Sequence, residues 1–383
     1  MSFSDTWAEI TPIGRVSGGG YLRYALDDAE LSLREWFRAQ AGRRGMTVTE
    51  DGNGNLFAWT GEPWADGVVL TGSHFDSVPH GGGYDGPLGI VSAFLAVDRL
   101  VDRGANIGVV AFCEEEGGRW GVPCLGSRLL TGAIEPDRAA ALTDRDGITF
   151  AAALGHHPAG ARPLSGVRAV IELHVEQGRA LDCPVGVASA IWPHGRWRFD
   201  FRGDADHAGT TRMSDRRDPM LTFAYTVLAA NKEARLAGAH ATMARVAVEP
   251  NATNAIPSLV RGWLDARAAD TGTLDALVEA VIKRAVDRAG RDGTEVTVTP
   301  ESVTPEVAFD TALAKRLAGL LGDVPILPTG AGHDAGVLSA HVPTAMLFVR
   351  NPTGVSHSPA EHATDADCEA GVEALARVLG ELT

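Results

Sequence analysis

Between residues 27 and 45, Leu31, Leu33, Trp36 and Phe37 recur at helical spacing and Gly45 closes the run, which predicts a helix. A strand hairpin is expected over 48–59, turning at Asn53-Gly54. Three later runs, 67–71, 107–112 and 169–173, are almost continuously apolar, as strands covered on both faces are. Each leads straight into polar residues: Gly-Ser-His-Phe-Asp at 72–76, Glu114-Glu115-Glu116, and His174. Residues 88–100 read as a helix between the first two strands. The alternation predicts an α/β fold with an open, mostly parallel sheet covered by helices, and such sheets collect ligands at the carboxyl ends of their strands.

The middle of the chain changes character. Strand patterns at 196–201, 241–249, 259–267 and 294–299 are separated by helical patterns at 218–236 and 273–289. The order β-α-β-β-α-β is that of a ferredoxin-like α+β sandwich. An inserted domain is therefore expected at 192–302, with the first domain made discontinuously from 1–191 and 303–383. That first domain resumes with a helix at 312–321, a strand at 344–349 and a closing helix at 365–379.

Composition narrows the partners. Of 383 residues, 34 are Lys or Arg and 49 Asp or Glu, a net charge of −15 with no basic run. Phosphate binding needs clustered cations, so neither nucleic acid nor an anionic membrane surface is an expected partner. Residues 1–15 include Asp5 and Glu9 and do not read as a signal peptide, and no apolar stretch approaches the ~20 residues of a membrane span. The four cysteines, Cys113, Cys124, Cys183 and Cys368, form no C-x-x-C pair, and a reduced cytoplasmic protein is expected. Cys113, ending V-V-A-F-C, reads as a buried strand thiol rather than a nucleophile.

The candidate chemistry lies where the strands end. In G-S-H-F-D-S-V-P (72–79), Asp76 stands two residues after His74 and could accept the second imidazole N–H, as metal-bound histidines require. Asp85 sits in the glycine-rich G-G-G-Y-D-G-P-L-G; its charge would repel a phosphate and suits a metal bridge. Three adjacent acids are usually a solvated turn. After a buried strand, however, at least one of 114–116 should face a cleft whose charge a cation compensates. One neighbour could then ligate metal while another takes a proton from the attacking water. H-V-E-Q-G (174–178) and S-H-S-P-A-E-H (356–362) add further imidazoles. Together the set suits Zn, Mn, Co or Ni ions. His156, His157, His240 and His341 read as surface residues, and His80 and His194 receive no role.

In this order G-S-H-F-D-S-V, Y-D-G-P-L-G, E-E-E-G-G-R-W, L-H-V-E-Q-G, D-H-A-G-T-T, N-A-T-N-A-I-P, G-A-G-H-D-A and S-H-S-P-A-E span nearly the whole chain. The sequence thereby resembles the M20 metallopeptidase superfamily, in its branch of ureido-compound amidohydrolases (allantoate amidohydrolases, N-carbamoyl-L-amino acid amidohydrolases and β-ureidopropionases). L-H-V-E-Q-G discriminates that branch, because ordinary M20 peptidases usually place a carboxylate ligand there. The resemblance implies two divalent ions per chain bridged by Asp85, with His74 and His174 completing one site and Glu116 and His357 the other. It implies Glu115 as general base, and substrate contacts at Gln177, His207, Asn254 and Arg267. It also implies a homodimer formed through the inserted domain, with His207 reaching the neighbouring subunit's site.

Physics is compatible with those roles. Arg267 can grip a carboxylate with two hydrogen bonds, and His207 can stabilise an oxyanion. The bland alternatives are a salt bridge from Arg267 to Asp265 or Asp270, and a turn in which Asp206 holds His207. Division of the substrate groups between domains further predicts that the insert acts as a lid. Arg212 after D-H-A-G-T-T, Trp120 after the acidic run, and I-W-P-H-G-R-W-R (191–198) depart from the branch pattern. None is a proposed ligand, but Arg196 and Arg212 could alter substrate choice. The expected reaction is metal-dependent hydrolysis of a linear ureido C–N bond in allantoate, with an N-carbamoyl-L-amino acid as the near alternative. Peptide or acyl-amino acid cleavage is the more distant one.

Overall fold

The computed structural model describes residues 2–100 and 103–383. Met1, part of the segment expected not to be a signal peptide, lies outside them; Phe3–Ile10 is a helix whose Ser2 cap and Asp5 bond reciprocally. In chain order the strands begin with β1 Thr47–Glu50, β2 Leu56–Trp59, β3 Val68–His74, β4 Ile107–Phe112, β5 Val167–Val175 and β6 Val185–Ile191. Next come β7 His194–Arg202, β8 Asp206–His207, β9 His240–Glu249, β10 Ala255–Ile256, β11 Leu259–Arg267 and β12 Glu295–Thr304. The last three are β13 Val307–Ala308, β14 Ile326–Thr329 and β15 Thr344–Val349.

Two compact units result, Met1–Ala190 with Ala308–Thr383, and Ile191–Val307. The first is built on a sheet of order β1-β2-β4-β3-β5-β15-β6-β13, with β14 beside β6. Its centre, β4-β3-β5-β15, is parallel, and antiparallel pairs flank it. Every residue of β3, β4 and β15 is buried, which is why these segments are apolar without alternation. Phe37, Leu88, Phe94, Val372 and Leu379 pack with one side of the sheet, and Phe57, Trp59, Leu70, Leu130 and Leu338 form a separate cluster. The expected mostly parallel α/β sheet is present.

The hairpin and the long helices follow the sequence pattern, Asp28–Arg43 beginning at an Asp27 cap. Leu125–Thr131, Pro136–Ala140 and Phe150–Leu154 are helices that the pattern does not announce; at seven, five and five residues they are too short to show a period.

In the second unit β12-β7-β11-β9 form an antiparallel sheet, a fourth-first-third-second order. Helices Pro219–Ala237 and Thr271–Asp292 supply Ala230, Leu277 and Val281 to a core shared with Phe199, Phe201 and Leu264. This is the ferredoxin-like arrangement that the order of patterns predicts. The last strand runs past the expected 294–299 because pairing resumes after a register shift between Pro300 and Ser302. Proline has no N–H to donate there, and a bulge accommodates it.

Candidate metal centre and its surroundings

Parallel pairing brings the polar strand ends together. β3 and β5 are paired with Gly72 opposite Glu172, so two residues further along His74 and His174 are neighbours, their rings 5.9 Å apart. β4 ends beside His74, and its successors Glu114, Glu115 and Glu116 turn across the same edge.

Both imidazoles are buried and oriented by the backbone. His74 donates from Nδ1 to the Asp76 carbonyl at 2.9 Å, and His174 from Nδ1 to the Val175 carbonyl at 2.8 Å. Each Nε2 therefore faces Asp85. Burial lowers His174, but Asp85 outweighs it and raises His174 to about 9, so a cation there would take the place of the Nε2 proton. The Asp76 carboxylate is not the orienting group expected from the sequence, lying 3.7 Å from Nδ1. It accepts instead from the backbone N–H groups of Glu115 and Glu116 at 3.1 and 3.0 Å, fixing the turn that aims those acids.

Asp85 is the centre of the arrangement. Its Oδ1 lies 3.1 Å from His174 Nε2 and 3.7 Å from His74 Nε2, while its Oδ2 lies 3.3 Å from His357 Nε2. Glu116 stands 3.4 Å from the same His357 nitrogen. The donor atoms of His74, Asp85 and His174 converge within 4.8 Å of one another, as do those of Asp85, Glu116 and His357. Of the three consecutive acids, Glu114 builds the turn, with a positive φ of 56° and bonds from the Arg119 and Trp120 amides. Glu115 points inward, Oε2 3.8 Å from His74 Nε2.

The electrostatics call for cations. Burial pushes Glu115 well above the usual carboxylate range, with Asp334 and Glu116 adding to it, and burial beside Asp85 raises Glu116 to about 8. Burial also raises Asp85, but contacts with His174 and His357 outweigh this and hold it well below its ordinary value. Burial drops His74 to about 4. Among the described residues, only histidines form ion pairs with Asp85, Glu115 and Glu116. His74 Nε2, His174 Nε2 and Glu116 Oε1 are buried without a well-aligned hydrogen bond. Converging lone pairs and uncompensated carboxylates suit divalent cations, and this donor set can hold them.

Two glycines let the Asp85 loop fit. A Cβ on Gly86, at φ 87°, would stand 2.5 Å from His74 Cε1, and one on Gly82 would stand 2.1 Å from Glu361 Oε1. Glu361 clips that loop, accepting from the Tyr84 and Asp85 amides at 2.9 and 3.0 Å and from Ser356 Oγ at 3.3 Å. A carboxylate thus occupies amides that a phosphate loop would offer. Gln177 donates to Asp85 Oδ2 at 2.9 Å and to Ser356 at 3.1 Å. Sequence reasoning assigned nothing to Glu361, or to His333, whose buried ring packs 4.5 Å from that of His174. Both stand in quoted motifs, S-H-S-P-A-E and G-A-G-H-D-A, and that placement was the available signal.

The remaining predicted residues lie in the second unit. His207 and Asn254 adjoin through the β8–β10 ladder, where Ala255 faces His207 and the Ala208 amide donates to the Asn254 carbonyl at 2.9 Å. His207 is held by its neighbours: its amide donates to Asp206 at 2.7 Å, and its Nδ1 accepts from the Gly209 amide at 3.0 Å. That bond places the ring proton on Nε2. Arg267 pairs with Asp265 at 2.9 Å. His156, His157, His240 and His341 are exposed, and Cys113 is fully buried, burial pushing its thiol well above the ordinary value.

Known proteins resemble this chain over nearly its whole length. The profile of peptidase family M20/M25/M40 matches residues 70–381. An N-carbamoyl-L-amino acid amidohydrolase of Geobacillus stearothermophilus is 35% identical, over 98% of this chain and 96% of its own. Allantoate amidohydrolase of Escherichia coli is 30% identical, over 100% and 98%. A crystal structure of a hydantoinase/carbamoylase-family amidase from Burkholderia vietnamiensis superposes with a TM-score of 0.87 at 31% identity, covering 99% of this chain and 96% of that one. With its metal-type donor set at the strand ends, this chain belongs to peptidase family M20/M25/M40, and the two relatives named above are amidohydrolases.

Proposed function

We propose that the protein hydrolyses the linear ureido C–N bond of allantoate or a related N-carbamoyl amino acid, using two divalent ions joined by Asp85. The observation that carries this reading is the division of one carboxylate: Oδ1 faces His74 and His174, and Oδ2 faces His357. His74 and His174 would hold one ion, Glu116 and His357 the other. When bound, the ions supply polarisation of the carbamoyl oxygen and ease the deprotonation of water.

The chain's own groups do the rest. Glu115, ionised once bound cations offset its burial, would take a proton from the attacking water and pass it to the leaving nitrogen. Gln177 contacts Asp85 from the side and is assigned to substrate. His207, with its proton on Nε2, is assigned as the oxyanion donor, Asn254 beside it as a substrate contact, and Arg267 as the grip on a substrate carboxylate. Ammonia, carbon dioxide and the remaining amine or ureido acid are the products.

Residues 191–307 are proposed as the lid and dimerisation domain. Leu259 and Arg267 end the same strand, and Leu259 follows Asn254 by five residues. Eight steps of β11 correspond to about 26 Å. Arg267 thus ends β11 at the far side from Leu259, while the His207–Asn254 pair sits on the separate β8–β10 ladder, joined to the chain at the Leu259 end. That separation supports a homodimer in which His207 serves the neighbouring subunit. Four unpaired cysteines suit a cytoplasmic setting.

A second reading, an N-carbamoyl-L-amino acid as preferred substrate, is favoured by the higher identity to the Geobacillus enzyme. Ammonia release from allantoate, N-carbamoyl-L-amino acids and dipeptides, each with Mn²⁺, Zn²⁺ and Co²⁺, tests both. Turnover of dipeptides alone would overturn the ureido assignment.

A further inference from the structure

Cys124 is a buried thiol that the chemistry above leaves unused. Its position is constrained on two sides. Its backbone N–H donates to the Glu115 carbonyl at 2.7 Å, and its Sγ lies 3.6 Å from Glu115 Oε1, within reach of an S–H···O bond. The residue also holds a left-handed backbone, φ 55° and ψ 37°, just before helix Leu125–Thr131. A side chain other than glycine is uncommon there, and such a conformation persists only where its surroundings impose it. Here the following amides tie the segment down, since the Leu125 N–H donates to the Glu114 carbonyl at 3.0 Å and the Gly126 N–H to the Cys113 carbonyl at 2.9 Å.

We infer that the Cys124 thiol is a positioning residue for Glu115, its S–H occupying Oε1 so that Oε2 is the oxygen facing the metal centre. This rests on the reading of Glu115 as general base. Without the thiol, the Glu115 side chain would retain its backbone anchor but lose what selects one carboxyl orientation. The bond is individually weak, so the effect is on the placement of the base rather than on the fold. Burial beside Glu115 pushes the thiol well above its ordinary range, so it remains a neutral donor at physiological pH.

The test uses the full-length, metal-loaded protein and two variants. Cys124→Ala removes the donor and should lower kcat about three- to tenfold, the size of one lost hydrogen bond, with KM and bound metal unchanged. Cys124→Ser restores a donor and should recover most of the loss. An unchanged kcat in Cys124→Ala overturns the inference. So do equal losses in both variants, or loss of metal, because each indicates packing rather than donation. A readout independent of turnover is the infrared S–H stretch, identified as the band missing in Cys124→Ala. It should shift to higher frequency in Glu115→Ala as the acceptor disappears. A band that does not move overturns the inference even if the protein proves inactive on every ureido substrate, so the two readings fail separately.

Discussion

Glu115 and Glu116 are adjacent in the chain but face different partners, Glu115 lying 3.8 Å from His74 and Glu116 3.4 Å from His357. The Asp76 carboxylate holds both amides, so the division of labour is built into the turn. Glu115→Gln keeps the shape and removes only the base. Turnover should fall about 10²–10⁴-fold with metal content unchanged, as measured by steady-state kinetics alongside elemental analysis. If Glu115→Gln lost metal while Glu116→Gln kept it, the two roles would be exchanged. At this scale the sequence was informative about residue type and less so about partners. His74 and His174 lie with Asp85 in one group of donor atoms, and Glu116 and His357 lie with Asp85 in another. That Asp76 would hold amides rather than an imidazole was not legible, because two residues of spacing permit both its carbonyl and its carboxylate to approach the ring.

Among elements, the loop from Gly82 to Gly86 carries the centre. It passes so close to His74 and Glu361 that neither end tolerates a Cβ, and Gly86 then starts helix Pro87–Asp98 at a positive φ. Gly86→Ala should destabilise the protein by about 1–3 kcal/mol through backbone strain and displacement of His74, read by urea denaturation. Bound metal should weaken in parallel, and unaltered stability with full metal would show that the loop has room. Glu361 ties this loop to the segment bearing His357 through Ser356. Glu361→Ala should therefore lower metal affinity in competition with a chelator, whereas unchanged affinity would limit Glu361 to local packing. The long helices were legible because their period extends over many residues, and the buried strands because they are unbroken apolar runs. The short helices Pro136–Ala140 and Phe150–Leu154, and the continuation of β12 past Pro300, depend on tertiary contacts and register that no local pattern records.

For the whole molecule, the placement of Arg267 at one end of β11 and of His207 on the separate ladder beyond the other end makes assembly part of the proposed chemistry. Mixing inactive His207→Ala with inactive Glu115→Gln protein should restore activity through hybrid dimers, after subunit exchange has been verified. Absence of recovery would return His207 to its own chain's site. Arg267→Ala should chiefly raise KM for carboxylate-bearing substrates, the loss of a charge-assisted pair costing about 1.5–3 kcal/mol. An unchanged KM would remove Arg267 from the substrate contacts and leave it a structural role that includes its ion pair with Asp265. These roles depend on a centre in which one carboxylate joins two ions, and counting ions tests that most directly. Elemental analysis of the purified, metal-loaded protein should find two divalent ions per chain, and the Asp85→Ala variant should lose or greatly weaken both. One ion per chain in the unaltered protein, or full occupancy in Asp85→Ala, would contradict the bridged centre.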